Sequence, residues 1–552
     1  MQKDKLNYFL ITALGAVFFI PFIGSSHLFD WDEINFAESA REMMITGNYA
    51  TVQINFEPFW EKPPLFFWMQ VLAMKVFGVF DATSSFSPEF GARFPNAIIG
   101  IITLFVFYSI GKKLYNAKFG FLWALGYLGS FTPHLYFKSG IIDPTFNLFI
   151  FLGVWFISRV LSPTSESLFE SKNHTKWTIL SGLFIGLAIL TKGPVGGLLW
   201  GLTIFVYWGL QGFSGQFFKN AIKPVAIAVG VAFLAACIWF GLSIYENGWG
   251  LFADFIKYQI RLLTTGDAGH EQPFYYHFVV VLVGCFPISV FAIRYLLNAT
   301  ANNSSNASEN FRKWMVVLFW VVMILFTIVK TKIVHYSSMT WFPVSFLAAY
   351  HVYHWSEGKI VWQKWVTATL IFIGAVMSIA LIAVPIIGQN SAFLIPYIKD
   401  PFAVGNLQAK VTWAGWEQYI GAAYLVAIII LVWKRQIQAL FISTAICLFL
   451  YSAIVVPKIE GYSQGAAISF YQSLKGKDVY VEPVGFKSYA QLFYFQKQPT
   501  KIKRTTEEYL HADNLDKPTY FVMKITADSA IKANPKLQLI EEKNGFLFYK
   551  RK

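Results

Sequence analysis

Residues 29–78 read FDWDEINFAESAREMMITGNYATVQINFEPFWEKPPLFFWMQVLAMKVFG and form the most polar segment in the first half of the chain. Asp30 and Glu33 have the spacing of a capping box and predict the start of a helix, which Gly47 ends. Apolar side chains recur on one face of this helix and charged ones on the other: Ile34, Ala37, Ala40 and Met44 against Glu38, Arg41 and Glu42. The pattern predicts a short amphipathic helix on a membrane surface.

A charge pair followed by two prolines, Glu61-Lys62-Pro63-Pro64, comes next in the same segment. An apolar helical pattern over residues 65–77 follows, and it is shorter than the roughly 20 residues that a transmembrane helix needs. The segment therefore joins two short predicted helices through a rigid, charged connection.

The composition indicates a membrane protein. Of the 552 residues, 55% are hydrophobic and only 14% are charged, which is typical of an all-α polytopic membrane protein. The formal net charge of +14 could point to nucleic acid, but the basic residues are spread among short loops and the tail. They do not alternate with aromatic residues in one patch. We therefore expect membrane lipids, and not nucleic acid, among the partners.

Windows of about 20 apolar residues predict about thirteen transmembrane spans. They lie near residues 7–28, 91–111, 118–137, 143–161, 177–191, 194–210, 222–244, 274–297, 313–329, 336–355, 364–388, 416–433 and 438–456. The sequence thus predicts a membrane domain over residues 1–456, in which residues 29–90 form the first exterior loop.

Lysine and arginine in alternate short loops predict the orientation. The positive side includes Lys3, Lys5, Lys112, Lys113, Lys118, Arg159, Lys172, Lys176, Lys219, Lys223, Arg294, Arg312, Lys313, Lys359, Lys364, Lys434 and Arg435. Positive loops face the cytoplasm, so the N-terminus is predicted inside. An odd number of spans then places the tail outside. We expect a multi-pass protein of the bacterial inner membrane with a periplasmic C-terminal domain.

The tail, residues 457–552, is predicted to be a small soluble α/β domain. Three segments rich in β-branched and aromatic residues read as strands, at 479–481, 520–523 and 546–549, and three as helices, at 466–474, 488–495 and 529–533. No catalytic motif is evident in it.

Several basic residues oppose the orientation signal, because they lie beside the membrane on the predicted outer side or in a break between apolar segments. They are Lys62, Lys192, Arg261, Lys330 and Lys332. A lipid-linked phosphate would compensate for such charges through charge-assisted hydrogen bonds. The alternative is that these side chains extend to lipid headgroups.

Acidic residues also gather at the predicted outer surface, namely Asp30, Asp32, Glu33, Glu61 and Asp143. A carboxylate there can act as general base on a hydroxyl acceptor. Asp143 precedes Pro144, so it equally fits an N-cap, as Asp30 does. His335 and Glu61 are ordinary ligand types for a divalent metal beside a phosphate. A structural, hydrogen-bonded histidine is the alternative, and His270 gives a weaker signal.

The first-loop motif resembles the first exterior loop of GT-C membrane glycosyltransferases. It comprises Asp32-Glu33-x-x-Phe36-Ala37-Glu38-x-Ala40-Arg41-Glu42-Met43 and Glu61-Lys62-Pro63-Pro64. The branch with aminoarabinose transferases of lipid A and protein O-mannosyltransferase-like proteins is the most similar. Matching segments occur at 139–144, 191–194, 261–276 and 332–336. The insert at 81–88 and the unassigned loop at 389–415 leave the acceptor open.

The resemblance implies roles for nine residues. Asp32 and Asp143 are similar to catalytic acids; Lys62, Arg261, Lys192, Lys332 and Tyr336 to ligands of the donor phosphate; and Glu61 with His335 to a metal site. The resemblance implies Zn, Mg or Mn as the metal, and we expect no organic cofactor.

Two functional classes remain open from the sequence. The first is a glycosyltransferase, inverting by backside attack, that moves a sugar from an undecaprenyl-phosphate-type carrier to lipid A or to a protein. The second is a transporter or flippase of the same polyprenyl-linked sugar. A transporter should show interrupted helices, ionisable groups near the membrane midplane and often related halves. The polar residues here concentrate at one face, which favours the transferase.

Overall fold

The structure is a computed structural model that describes residues 2–29, 31–59, 61–161, 173–264, 272–297, 306–500 and 502–552. The described part is mainly helical. Its first section contains α1 (Gln2–Phe19), α2 (Asp32–Thr46), β1 (Gln53–Ile54), β2 (Glu57–Pro58), α3 (Leu65–Val76), α4 (Pro88–Leu114), α5 (Ala117–Leu128), α6 (Phe131–Tyr136) and α7 (Asp143–Leu161).

The middle section contains α8 (His174–Lys192), α9 (Val195–Leu210), α10 (Gly215–Asn247), α11 (Trp249–Thr264), α12 (Tyr276–Gly284), α13 (Ile288–Leu297), α14 (Ala307–Ile328), a 3₁₀ helix (Val334–Thr340), α15 (Trp341–Ser356) and α16 (Lys364–Gln389). The last section contains two 3₁₀ turns (Ser391–Phe393 and Ile395–Tyr397), α17 (Pro401–Leu407), α18 (Gln418–Trp433), α19 (Ile437–Ile454), α20 (Val456–Ser463), α21 (Gly465–Leu474), β3 (Tyr480–Val484), α22 (Ala490–Phe495), α23 (Thr506–His511), β4 (Thr519–Lys524), α24 (Ser529–Lys532), β5 (Leu537–Lys543) and β6 (Phe546–Arg551).

The all-α membrane architecture predicted from the sequence is confirmed. Each predicted span coincides with one helix or with a pair of helices. Seven of the described helices are long and apolar enough to cross a membrane: α4, α7, α8, α10, α14, α16 and α19. Four shorter apolar helices, α3, α9, α13 and α18, accompany them. The count of thirteen crossings stays a prediction.

Two predicted spans are interrupted. The segment at 118–137 divides into α5 and α6 at Gly129, where a Cβ atom would overlap the backbone carbonyl of Phe441 in α19. Only a glycine permits this approach of two backbones. The segment at 274–297 divides into α12 and α13 around Pro287, because proline cannot continue the helical hydrogen bonding.

The C-terminal α/β domain is confirmed and carries a four-stranded sheet in the order β3-β4-β6-β5. β3 and β4 are parallel, and the other neighbours are antiparallel. The three predicted strands and three predicted helices are all present. The sequence missed α20, α23 and β5. Only the first residue of β5 is buried, so this edge strand lacks the apolar alternation that identifies a half-buried strand.

Two predictions about α2 are wrong. Its N-cap residue is Trp31, while Asp30 lies outside the described residues. The helix does not lie on a membrane surface, because every residue from Glu33 to Met43 is buried. Its core is shared with α3 on one side and with α21, α22 and the C-terminal sheet on the other. The tail therefore covers the face that the sequence pattern assigned to solvent.

The charged face of α2 is held by internal partners. Arg41 forms an ion pair with Glu38, with donor–acceptor distances of 2.6 and 2.7 Å, and donates to the carbonyl of Lys497 at 2.7 Å. Burial and the negative charge of Glu38 raise the pKa of Glu42 to about 9, and the Glu42 carboxyl accepts from the amide of Phe56. These contacts link the first loop to the tail.

A second buried ion pair joins the first loop to the membrane helices. Arg93 of α4 donates to both carboxylate oxygens of Glu33 at 2.9 and 2.8 Å. The same guanidinium donates to the backbone carbonyls of Ile23, Ser26 and His27. Glu33 also accepts from the amides of Phe29 and Gly140. Burial raises the pKa of Glu33, but the charge and hydrogen bonds of Arg93 outweigh burial and lower it overall.

Glu33→Gln should strongly destabilise the protein. The substitution preserves size but leaves the Arg93 guanidinium buried without a counter-charge, which costs about 3–5 kcal/mol. The midpoint of thermal unfolding in detergent should therefore fall. Glu357→Gln is the matched control, because it removes the carboxylate of a solvent-exposed pair with Lys118. Equal midpoints for the two variants would contradict the role assigned to Glu33.

Candidate active site

A cavity of about 1050 Å³ opens beside the N-terminus of α2. Its walls come from the first loop, the α6–α7 and α8–α9 connections, α11, the 3₁₀ helix at 334–340 and the C-terminal domain. Eight of the nine site residues predicted from the sequence line it: Asp32, Glu61, Lys62, Asp143, Lys192, Arg261, His335 and Tyr336. Segments separated by more than 300 residues in the chain thus contribute to one site.

Lys332 is the predicted site residue that does not line the cavity, although its neighbours Thr331 and Ile333 do. Its ammonium group is buried and donates to the carbonyl of Val329 at 2.9 Å. This contact turns the side chain toward its own loop. Lys330 is exposed and also lies outside the cavity lining.

Asp32 faces a histidine. It is the first residue of α2, and its Oδ2 lies 3.6 Å from Nε2 of His335. The other ring nitrogen of His335 shares a hydrogen bond of 2.6 Å with the hydroxyl of Tyr136. A separation of 3.6 Å is longer than a hydrogen bond. The arrangement links a carboxylate, an imidazole and a phenol along one wall of the cavity.

Lys62 and Arg261 meet at one tyrosine ring. The Lys62 ammonium lies 5.3 Å and the Arg261 guanidinium 5.2 Å from the centroid of Tyr258. The Tyr258 hydroxyl donates to Glu61 at 3.0 Å. Burial lowers the pKa of Lys62, as does the positive charge of Lys192, and Glu61 opposes the shift. Two cations held by an aromatic face, with one acid nearby, form a strongly anion-attracting wall.

Asp143 and Lys192 form another part of the lining. Their side chains make an ion pair of 2.5 Å, and the Lys192 ammonium also lies 5.6 Å from the ring of Tyr336. Asp143 is the first residue of α7, and Lys192 is the last residue of α8. Gly193 follows with φ of 91°, a conformation that favours glycine and turns the chain into α9. The predicted break at 191–194 is therefore confirmed.

The sequence reasoning missed several cavity residues, among them Tyr136, Tyr258, Lys138 and Lys487. Tyr258 lies on an amphipathic helix, where a tyrosine gives no particular signal. Lys138 lines the cavity but donates to the carbonyls of Phe18 and Pro21 at 3.1 and 2.8 Å. Lys487 comes from the C-terminal domain, for which the sequence showed no catalytic motif. Only the packing of that domain over α2 brings Lys487 to the cavity.

The residues predicted to hold a metal ion do not form a complete set of ligands. Glu61 and His335 line the same cavity, but Glu61 accepts from Tyr258, and His335 lies between Asp32 and Tyr136. Across the described ranges, no group of three or more His, Cys, Asp or Glu side chains is placed to hold a metal ion. The protein side chains alone therefore do not complete the ligand set of a structural zinc site.

The sequence is similar to a family of lipid-linked sugar transferases. Residues 61–240 match the family of dolichyl-phosphate-mannose-protein mannosyltransferases. An undecaprenyl phosphate-alpha-4-amino-4-deoxy-L-arabinose arabinosyl transferase of Wigglesworthia glossinidia brevipalpis is 25% identical over 361 residues, which are 64% of this chain and 59% of that protein. A protein of the same name from Proteus mirabilis is 22% identical over 72% of this chain and 68% of its own. The first match thus spans less than two thirds of the relative.

The fold is similar over nearly the whole chain. The crystal structure of ArnT from Cupriavidus metallidurans bound to undecaprenyl phosphate aligns with a TM-score of 0.78 at 17% sequence identity. The alignment covers 98% of this chain and 97% of that one. The GT-C fold that the first-loop motif predicted is therefore confirmed, including the C-terminal domain.

Proposed function

We propose that this chain is an integral-membrane glycosyltransferase that takes a sugar from an undecaprenyl-phosphate-type carrier. The acceptor is a lipid of the lipid A type, as in aminoarabinose transfer to lipid A, or else a protein. The observation that carries the proposal is the cavity that gathers eight of the nine predicted site residues. The names of the relatives and the undecaprenyl phosphate bound to the similar structure support this donor.

The cationic wall suits the leaving group. When the anomeric carbon departs from the carrier, negative charge develops on the phosphate, and stabilising that charge is the main electrostatic task. Lys62 and Arg261, held by Tyr258, are placed to contact it. Lys192 forms an ion pair with Asp143 and lies beside the ring of Tyr336. Its positive charge therefore acts at the cavity as part of this pair. Lys332 is not among the cations that contact the phosphate.

Asp32 is proposed to act on the acceptor. A hydroxyl acceptor needs its proton removed, and the Asp32 carboxylate with His335 beside it can accept that proton. A phosphate acceptor is already an anionic nucleophile and needs orientation instead. Attack from the face opposite the leaving phosphate inverts the anomeric configuration. These groups lie together in one cavity, which favours a transferase over a flippase.

A divalent metal is proposed as an additional electrostatic partner of the carrier phosphate. Glu61 and His335 would hold it, and the phosphate itself would have to supply further oxygen ligands. When bound, the metal would add positive charge beside the leaving group. Transfer that is unaffected by EDTA would overturn this part of the proposal.

Asp32→Asn should lower kcat of sugar transfer by about a hundredfold, with little change in carrier affinity. For a hydroxyl acceptor the reason is lost general base catalysis, which contributes roughly 10²–10⁴-fold. For the phosphate of lipid A it is lost orientation, since a misplacement of about 1 Å costs about 10²-fold. The measurement is transfer from purified undecaprenyl-phosphate-linked sugar to lipid A in proteoliposomes. Asp254→Asn is the matched control, since Asp254 pairs with Lys257 on α11 and does not line the cavity. Near-normal transfer by folded Asp32→Asn would rule out this role. No transfer by the wild type with any polyprenyl-linked sugar would overturn the proposed activity.

Lys62→Ala and Arg261→Ala should each weaken binding of undecaprenyl phosphate about tenfold to a hundredfold, because a hydrogen bond to a charged group contributes about 1.5–3 kcal/mol. Lys62→Arg should restore binding only partly, since a planar guanidinium differs from a compact ammonium. The double variant should lose less than the sum, because both cations contact one phosphate.

Direct binding to the detergent-solubilised variants measures these effects. Lys330→Ala is the control, since that lysine is exposed and does not line the cavity. Unchanged affinity in both single variants would place the phosphate elsewhere, with Lys192 the next residue to test.

The proposal includes an orientation. Residues 1–456 form the membrane domain with a cytoplasmic N-terminus, and residues 457–552 form a periplasmic domain at the bacterial inner membrane. The contacts of α2 with α22 support a common side for the first loop and the tail.

A reporter that is active only in the periplasm should be active when it is fused after Lys552. The same reporter fused after Arg435, in a predicted cytoplasmic loop, should be inactive. Activity at Arg435 with none at Lys552 would reverse the orientation.

A further inference from the structure

Lys487 is the residue through which the C-terminal domain adds a positive charge to the cavity. It lies in the turn between β3 and α22, which starts at Gly485 with φ of 76°. The side chain is exposed, yet it lines the same cavity as Asp32. A lysine of the tail thus faces a site that is otherwise built by membrane-domain residues.

Two aromatic rings hold the Lys487 ammonium. It lies 4.6 Å from the ring centroid of Trp31 and 5.6 Å from that of Tyr489. The two rings are 5.5 Å apart with an angle of 53° between their planes. Aromatic faces attract a cation without neutralising it. Within the part of the chain that the structure describes, Lys487 forms no ion pair.

Two other lysines of the cavity differ from Lys487 in this respect. Lys192 is paired with Asp143, and the Lys138 ammonium is occupied by two backbone carbonyls. Lys62 is also held by an aromatic ring, with Arg261 at Tyr258. Lys487 is therefore a positioned cation beside Trp31, the residue that precedes Asp32, and it contacts other rings than the cations assigned to the donor phosphate.

Trp31 connects Lys487 to Asp32. Its backbone has φ of 80° and ψ of −103°, a sparsely populated conformation for a tryptophan. Such conformations persist where the surrounding structure holds them and cluster at functional sites. Trp31 thus supports the Lys487 ammonium, is the N-cap residue of α2 and directly precedes Asp32.

We propose that Lys487 binds the phosphate of a lipid acceptor and thereby selects a phosphate-bearing acceptor over a neutral one. The inference rests on the proposed transferase function. The Asp32 carboxylate repels an anionic acceptor, and an ammonium in the same cavity offsets this repulsion. A neutral hydroxyl acceptor gains nothing comparable from Lys487.

The test measures KM for lipid A in the proteoliposome assay. Lys487→Ala should raise this KM about tenfold, the lower range for a lost charged hydrogen bond, with kcat and undecaprenyl phosphate affinity unchanged. Lys487→Arg should keep most of the acceptor affinity, and Lys487→Glu should lose more than Lys487→Ala. Lys477→Ala is the matched control, an exposed lysine of the same domain that does not line the cavity.

A binding experiment separates this inference from the proposed activity. Wild type should bind lipid A more tightly than lipid A with its phosphates removed, and Lys487→Ala should bind the two with similar affinity. An unchanged preference in Lys487→Ala, or an equal loss of undecaprenyl phosphate affinity, would overturn the role of Lys487. If the wild type transfers no sugar, the proposed activity is wrong. The binding comparison alone then tests the role of Lys487.

Discussion

The buried ion pair between Glu33 and Arg93 is the constraint on which the site depends. A guanidinium in a protein interior must satisfy its donors, and Arg93 does so with Glu33 and with carbonyls of the segment between α1 and α2. Glu33 in turn accepts from the amide of Gly140, in the connection that leads to Asp143. One charge pair therefore positions three backbone segments around the cavity, so these segments cannot shift independently.

This constraint separates the roles of two adjacent acids. Glu33 is buried and fully occupied by donors, whereas the Asp32 side chain keeps 35% of its surface exposed and lies near His335. Successive residues of a helix point about 100° apart, so fixing Glu33 against Arg93 directs Asp32 toward the cavity. Elsewhere in the site, Asp143 is paired with Lys192, and Lys62 and Arg261 contact the ring of Tyr258.

The sequence predicted the site better than its surroundings. Lys62 and Arg261 were identifiable because they oppose the charge bias of the loops, a signal that does not depend on tertiary contacts. Asp32 stood out through the first-loop motif. The burial of α2 was not predictable, because Glu38, Arg41 and Glu42 read as a solvated face until the C-terminal domain covers them. Lys332 does not line the cavity, since its ammonium donates to a local carbonyl. Lys487 gave no signal, since a lysine in the C-terminal segment breaks no rule of composition.

The covered helix α2 has a consequence for biosynthesis. Arg41 donates to a carbonyl 456 residues further along the chain, so this partner is made long after α2. At roughly 5–20 residues per second, α2 waits on the order of 20–90 s before the tail can enclose it. During that interval α2 lacks its contacts with the C-terminal domain, and Lys487 is not yet at the cavity. A chain interrupted before the C-terminal domain is made therefore lacks one side of the site.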